Sequence, residues 1–234
     1  MKVAVLSDIH GNSVALEAVL AEAEKAGVEH LLTLGDFVGY YYRPDEVLAQ
    51  LAKFNTTMIR GNHETMMEAA RDDEQSAEKI RARYGSGVNV ALKKLSEEQV
   101  AELLALPQTS IVTLDGVRFL LAHGSPWDNN EYIYPDTDEA VHRKCAAEEA
   151  DFVLLGHTHY PFMYARDGAV VLNPGSVGQP RDTGNSASWA IIDTNNRSVV
   201  HKRTMFDITA LLEEAERIDP DIQYLRDVLK RNTI

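Results

Sequence analysis

Lys2-Val3-Ala4-Val5-Leu6-Ser7-Asp8-Ile9-His10-Gly11-Asn12 follows the first methionine, and its reading decides the fold class. The apolar run at 3–6 is short and unbroken, as expected of a strand buried on both faces. Behind it, Val14, Leu16, Ala18, Val19 and Ala23 follow helical spacing, with Asn12 or Ser13 placed to cap the helix and Gly27 to end it. Asp8 and His10 therefore sit in the turn beyond the carboxyl end of a buried strand.

The unit recurs further along the chain. A strand at 31–34 ends in Gly35-Asp36, a loop with three consecutive tyrosines follows, and Pro44 suits the first turn of a helix over 45–54. The β-branched stretch 56–59 ends in Arg60-Gly61-Asn62-His63-Glu64. Strand alternating with helix predicts an α/β fold with a largely parallel sheet and ligands gathered at its carboxyl edge. Residues 65–106 are helical and charged, with Ser96 and Gln99 as a capping box, and read as a helical insertion over one side of the site within a single domain, 1–234. Arg71, Arg81 and Arg83 either reach a substrate from there or line a solvated helix face.

After Pro107 the pattern turns to strands. A hairpin at 110–114 and 117–122 turns on Asp115-Gly116 and ends at His123-Gly124-Ser125-Pro126. A helix over 137–150 leads to a strand at 152–155 and then to Gly156-His157-Thr158-His159. Two more hairpins follow, 162–165 with 169–172 across Asp167-Gly168 and 189–193 with 198–203 across Asn195-Asn196. Asp207 starts a helix, and Asp219-Pro220 starts a last amphipathic one with Ile222, Leu225, Val228 and Leu229 inward.

Composition narrows the class. With 44% hydrophobic and 25% charged residues in 234, the chain reads as an ordinary globular protein without a membrane-length apolar run. The apolar start is too short for a signal segment, and the one cysteine, Cys145, cannot pair internally, so a reducing, cytoplasmic setting is expected. Twenty-three Lys and Arg against 36 Asp and Glu give a net charge of −13, which argues against polynucleotide binding. A small phosphate held by a local positive site is compatible with that charge.

Collected, the strand-end residues are Asp8, His10, Asp36, Asn62, His63, His123, His157 and His159, with five of the eight histidines among them. Singly, Asp8 also suits a helix cap, Asn62 a turn and His123 a core position. Together they form a donor set of nitrogen and oxygen without thiolate, which suits manganese, iron, cobalt, nickel or zinc. Seven ligands exceed what one catalytic ion with an open position takes, whereas two ions sharing a carboxylate accommodate them. Two carboxylates against two divalent ions leave a positive surplus that attracts a phosphate ester.

Asp8-x-His10, Gly35-Asp36, Gly61-Asn62-His63, His123 and Gly156-His157-x-His159 resemble, in order and spacing, the calcineurin-like metallophosphoesterase superfamily. The resemblance covers residues 1 to about 205. It implies a four-layer sandwich of two mixed β-sheets flanked by helices and a binuclear metal site. It further implies one ion on Asp8, His10, Asp36 and His159, and a second on Asp36, Asn62, His123 and His157, with manganese favoured for activity. His63 is implied as the phosphate contact and proton donor to the leaving oxygen, and a metal-bridging hydroxide as the in-line nucleophile. The chain looks most like the small bacterial and archaeal predicted phosphodiesterases, through the phrase Asn173-Pro174-Gly175-Ser176-Val177-Gly178-Gln179-Pro180-Arg181 and through His123-Gly124-Ser125-Pro126.

Two features depart from that pattern. Glu64 after His63 is similar to serine/threonine protein phosphatases and symmetrical dinucleoside tetraphosphatases, yet Gly35-Asp36-Phe37-Val38-Gly39-Tyr40 lacks their Asp-Arg-Gly. The expectation is a phosphoesterase for a small phosphodiester or monoester. The alternatives are a dinucleoside polyphosphate hydrolase, a serine/threonine-type protein phosphatase, or a non-catalytic metal-binding scaffold, and a scaffold has no need to keep His63. Arg181 is the expected phosphate contact, while Tyr40, Tyr41, Tyr42 and Arg43 either clamp a nucleotide or form a packed loop.

Overall fold

The computed structural model describes residues 1–232 and holds ten strands in two mixed sheets among them. In the first sheet β1 (Lys2–Leu6), β2 (His30–Thr33) and β3 (Thr56–Met58) run parallel, in register Val3 to His30 and Leu31 to Thr56. β9 (Ser186–Asp193) lies antiparallel to β1 on its other side, and β10 (Ser198–Met205) is the edge, giving the order β10-β9-β1-β2-β3. The second sheet, β4-β5-β6-β8-β7, has a parallel centre of β5 (Val117–Ala122), β6 (Phe152–Leu154) and β8 (Ala169–Asn173). Its edges β4 (Thr109–Leu114) and β7 (Phe162–Arg166) are antiparallel hairpin partners. Each sheet is thus parallel only in part, because the hairpins read from Asp-Gly and Asn-Asn turns add antiparallel strands to both.

Period-two alternation builds the four layers. Val3, Val5 and Leu32 of the first sheet meet Phe119, Leu121, Phe152, Leu154 and Leu172 of the second between the sheets. Ala4, Leu6 and Leu31 point the other way, onto α1 (Ser13–Lys25), α2 (Pro44–Leu51) and the helices that follow β3. On the far side, Leu120, Ala122, Val153, Leu155 and Val171 pack on Cys145 of α7 (Glu139–Ala146). The continuous apolar runs at 3–6, 119–122 and 152–155 follow from this, since both faces of each strand are covered there.

The charged region 65–106 is four helices, α3 (Asn62–Asp72), α4 (Glu74–Tyr84), α5 (Gly87–Lys94) and α6 (Glu97–Ala105), and α6 opens on the expected box of Ser96 and Gln99. The first begins at Asn62, so Asn62 and His63 lie on a helical turn and not in an open loop. α7 is shorter than expected, and α8 (Thr209–Ile218) starts after Asp207, whose carboxylate accepts the Thr209 amide at 2.9 Å. Asp219-Pro220 does not start the last helix, which is the single turn α9 (Tyr224–Asp227). Asp219 instead accepts hydrogen bonds from the Tyr42 hydroxyl at 2.8 Å and from the Ser86 amide at 2.8 Å and hydroxyl at 2.6 Å, tying three distant segments. No helix among the described residues is long and apolar enough to cross a membrane.

Candidate metal centre

The carboxyl ends of β1, β2, β5 and β6, together with the first turn of α3, converge on one buried cluster. Asp8, His10, Asp36, Asn62, His63, His123, His157 and His159 are all buried. Asp8, His10 and His159 bring donor atoms within 4.8 Å of one another, and so do Asp36, His123 and His157. The two groups meet at Asp36, whose Oδ2 lies 3.6 Å from His10 Nε2 and 3.4 Å from His123 Nε2. His10, Asp36 and His63 form a third such group.

Backbone carbonyls set the imidazole tautomers, because a carbonyl only accepts and the ring nitrogen facing it must donate. Nδ1 of His10 donates to Val38 at 3.1 Å, Nδ1 of His123 to Leu34 at 2.7 Å and Nδ1 of His159 to Gln179 at 2.7 Å. In the neutral rings each Nε2 is then a bare lone pair aimed inward. His10 Nε2 and His159 Nε2 face each other at 3.2 Å, and Asp8 Oδ1, 3.2 Å from His159 Nε2, has no hydrogen-bond donor among the described residues. His157 Nε2 is likewise buried without a partner among them. Lone pairs converging on lone pairs fit a cation between them, and the donor chemistry fits the divalent ions that nitrogen and oxygen ligands hold.

Electrostatics agree with that fit. Burial pushes the His10 and His159 pKa values below the ordinary histidine range, so both rings are neutral near pH 7. Burial raises the Asp8 and Asp36 carboxyls, but His159 beside Asp8 and His123 beside Asp36 outweigh it and hold both below the usual range. Burial lowers His123, yet Asp36 and Asp8 carry it up to about 10.

The backbone is strained at these residues. Asp8, His10, Asp36, His157 and His159 all have positive φ, between 51° and 65°. The side chains to be aimed carry that conformation themselves, at about 1 kcal/mol each. A second set of residues holds them there. Ser7 Oγ donates to Asp8 Oδ2 at 2.6 Å and Ser176 Oγ to the Asp8 carbonyl at 2.8 Å, and Asn173 Nδ2 donates to the Gly156 carbonyl at 2.7 Å. Glu64 accepts the amides of Asp36 at 2.9 Å, Phe37 at 2.8 Å, Val38 at 3.2 Å and Gly61 at 2.9 Å. Burial and the Asp36 charge push its carboxyl up to about 7 against the pull of those amides. Glu64 stood in the sequence only as an unusual neighbour of His63; its reach to the loop after β2 is a tertiary fact.

The tyrosine loop divides. Tyr41 and Tyr42 are buried and donate their hydroxyls to the Leu225 carbonyl and to Asp219, and Arg43 pairs with Glu214 at 3.1 Å, so these three are packing residues. Tyr40 alone faces the cluster, its ring 4.6 Å from His10 and 4.9 Å from His63. Arg181 Nη2 lies 3.5 Å from the Tyr40 hydroxyl, which places Arg181 at the site. Arg71 and Arg81 pair with Asp72 and Glu78 on their own helices, both exposed.

Residues 1–197 match the family model of the calcineurin-like phosphoesterase superfamily domain. The chain belongs to that superfamily. It is 30% identical over 233 residues to an uncharacterized protein of Methanocaldococcus jannaschii, covering 91% of this chain and 90% of the other. It is 28% identical over 213 residues to the phosphodiesterase YfcE of Escherichia coli strain K12, covering 86% of this chain and 91% of that protein. A crystal structure of a metallophosphoesterase from Sphaerobacter thermophilus superposes with a TM-score of 0.79 at 27% identity, covering 98% of each chain. Membership places the protein among the metal-dependent phosphoesterases, and the family's use of divalent metals accords with the convergent donors described above.

Proposed function

We propose that the protein hydrolyses a small phosphodiester or phosphomonoester at a centre for two divalent ions, by in-line displacement at phosphorus. The observation that carries this reading is Asp36 Oδ2 standing between His10 Nε2 and His123 Nε2, one from each donor group. Asp8, His10, His159 and Asp36 would hold one ion, and Asp36, Asn62, His123 and His157 the other. Such ions supply Lewis acidity, lowering the pKa of water and offsetting charge on phosphoryl oxygens.

The chain's own residues do the rest. Arg181 orients the phosphate as a charge-assisted donor. His63, whose backbone N–H donates to Asp36 Oδ1 at 2.8 Å, is fixed beside the cluster with Nδ1 unpartnered among the described residues. Burial lowers its pKa, and an incoming phosphate's negative charge raises it again, so His63 takes up a proton from solvent as substrate binds and passes it to the leaving oxygen. Manganese-loaded protein is expected to hydrolyse bis(p-nitrophenyl) phosphate, and His63→Ala to lower kcat by about 100-fold or more. A wild-type protein inactive with manganese, iron, cobalt, nickel and zinc overturns the reading.

A further inference from the structure

The rim of the site carries groups that the chemistry at phosphorus does not use. Tyr132 lies in the segment between β5 and α7, its ring 4.0 Å from His157 at 36° and stacked on Tyr134 at 5.8 Å and 10°. It is nonetheless 49% exposed, a large aromatic ring in contact with two others, one of them a residue of the cluster. Tyr84 ends α4, a helix with no fully buried side chain, and its ring reaches within 5.5 Å of His63 and 6.1 Å of Tyr40. Arg83 lies over the Tyr84 ring at 5.0 Å.

Tyr132 thus lies against His157, and Tyr84 against His63 and Tyr40, whose hydroxyl is 3.5 Å from Arg181 Nη2. In a chain of net charge −13 this rim gathers cations and aromatic faces. Cation and ring together are what a phosphate joined to a flat aromatic group needs, since rings stack on it irrespective of its hydrogen-bonding edge.

We propose that Tyr132 and Tyr84 wall an aromatic subsite beside the metal centre, which selects phosphoesters bearing a flat ring, the class to which nucleoside esters belong. The proposal rests on the phosphoesterase reading for the position of the phosphate. It moves base recognition away from Tyr41 and Tyr42, which are spent on packing.

Two phosphonates, whose carbon–phosphorus bond is not hydrolysed, test it by calorimetry on the manganese-loaded protein. Phenylphosphonate is expected to bind about tenfold more tightly than cyclohexylphosphonate, which has similar bulk but no π face. The ratio should fall to within about twofold of one in Tyr132→Leu and in Tyr84→Leu, and persist in Tyr132→Phe. Equal affinities in the wild type, a ratio unchanged by both leucine variants, or binding of neither ligand overturns the proposal. Hydrolysis of bis(p-nitrophenyl) phosphate by the same preparation tests the phosphoesterase reading separately.

Discussion

Left-handed backbone occurs in two regions of this molecule for two different reasons. At the hairpin tips, Asp115-Gly116 and Asp167-Gly168 have both residues at positive φ, the conformation that a two-residue turn needs to match strand twist. Around the site, Asp8, His10, Asp36, His157 and His159 adopt it with no such local demand, each aimed at a point that other segments share. The hairpin residues gain the register of their own strands. The site residues gain no strand register, and Ser176, Asn173 and Glu64 hold them from elsewhere in the chain, alongside the neighbouring Ser7. Strain with a local payoff marks a turn, and strain without one marks a site.

Four experiments break or sharpen that contrast. The largest effect is expected from Asp36→Ala, which removes the carboxylate common to both donor groups: kcat for bis(p-nitrophenyl) phosphate should fall by about 1,000-fold or more, while Asp167→Asn leaves it unchanged. Gly39 and Gly168 share a φ of +89°, but a Cβ on Gly39 would strike the His63 ring and one on Gly168 would meet nothing within 4 Å. Gly168→Ala should therefore lower stability by about 1–2 kcal/mol with full activity, and Gly39→Ala should lower stability further and cut kcat about 100-fold or more. Equal activity in the two variants would sink the distinction between turn strain and site strain.

Metal removal comes next. Chelation leaves converging lone pairs uncompensated, so the melting temperature should drop by about 5–10 °C, the size of about 2.7 kcal/mol of ligand stabilisation in a chain of this length. Returning manganese should restore it. The smallest effect lies far from the cluster, at Cys145, where burial pushes the thiol up to about 12. The folded state favours the protonated thiol, so its contribution to stability is full below the ordinary value of 9.0 and is lost as pH rises from there toward 12. In the native protein at pH 8, Cys145 should react with a disulfide reagent far more slowly than in denaturant.

The donor residues were legible in the chain because carboxylate, amide and imidazole recur at the ends of apolar runs, where packing gives them no reason to be. Hairpins at Asp115-Gly116 and Asp167-Gly168 were equally legible, since the turn and its residues are neighbours in sequence. The start of α3 at Asn62 was not. Gly61 is a weak cap by itself, and the acceptor for its amide is Glu64, which also binds three amides of the loop after β2. Tyr41 and Tyr42 could not be told from Tyr40 either, because their partners Leu225 and Asp219 lie 184 and 177 residues away.

By itself, the sequence determined which residue types end each strand, the α/β alternation, the hairpins and the absence of any thiolate from the donor set. Those properties depend on neighbours along the chain and on side-chain chemistry. Only the tertiary structure decided that Asp36 stands between the two donor groups, that His10 and His159 meet lone pair to lone pair, and that Tyr132 meets His157 and Tyr84 meets His63. Convergence of that kind depends on the twist and stacking of two sheets, and it is recorded in no single stretch of the chain.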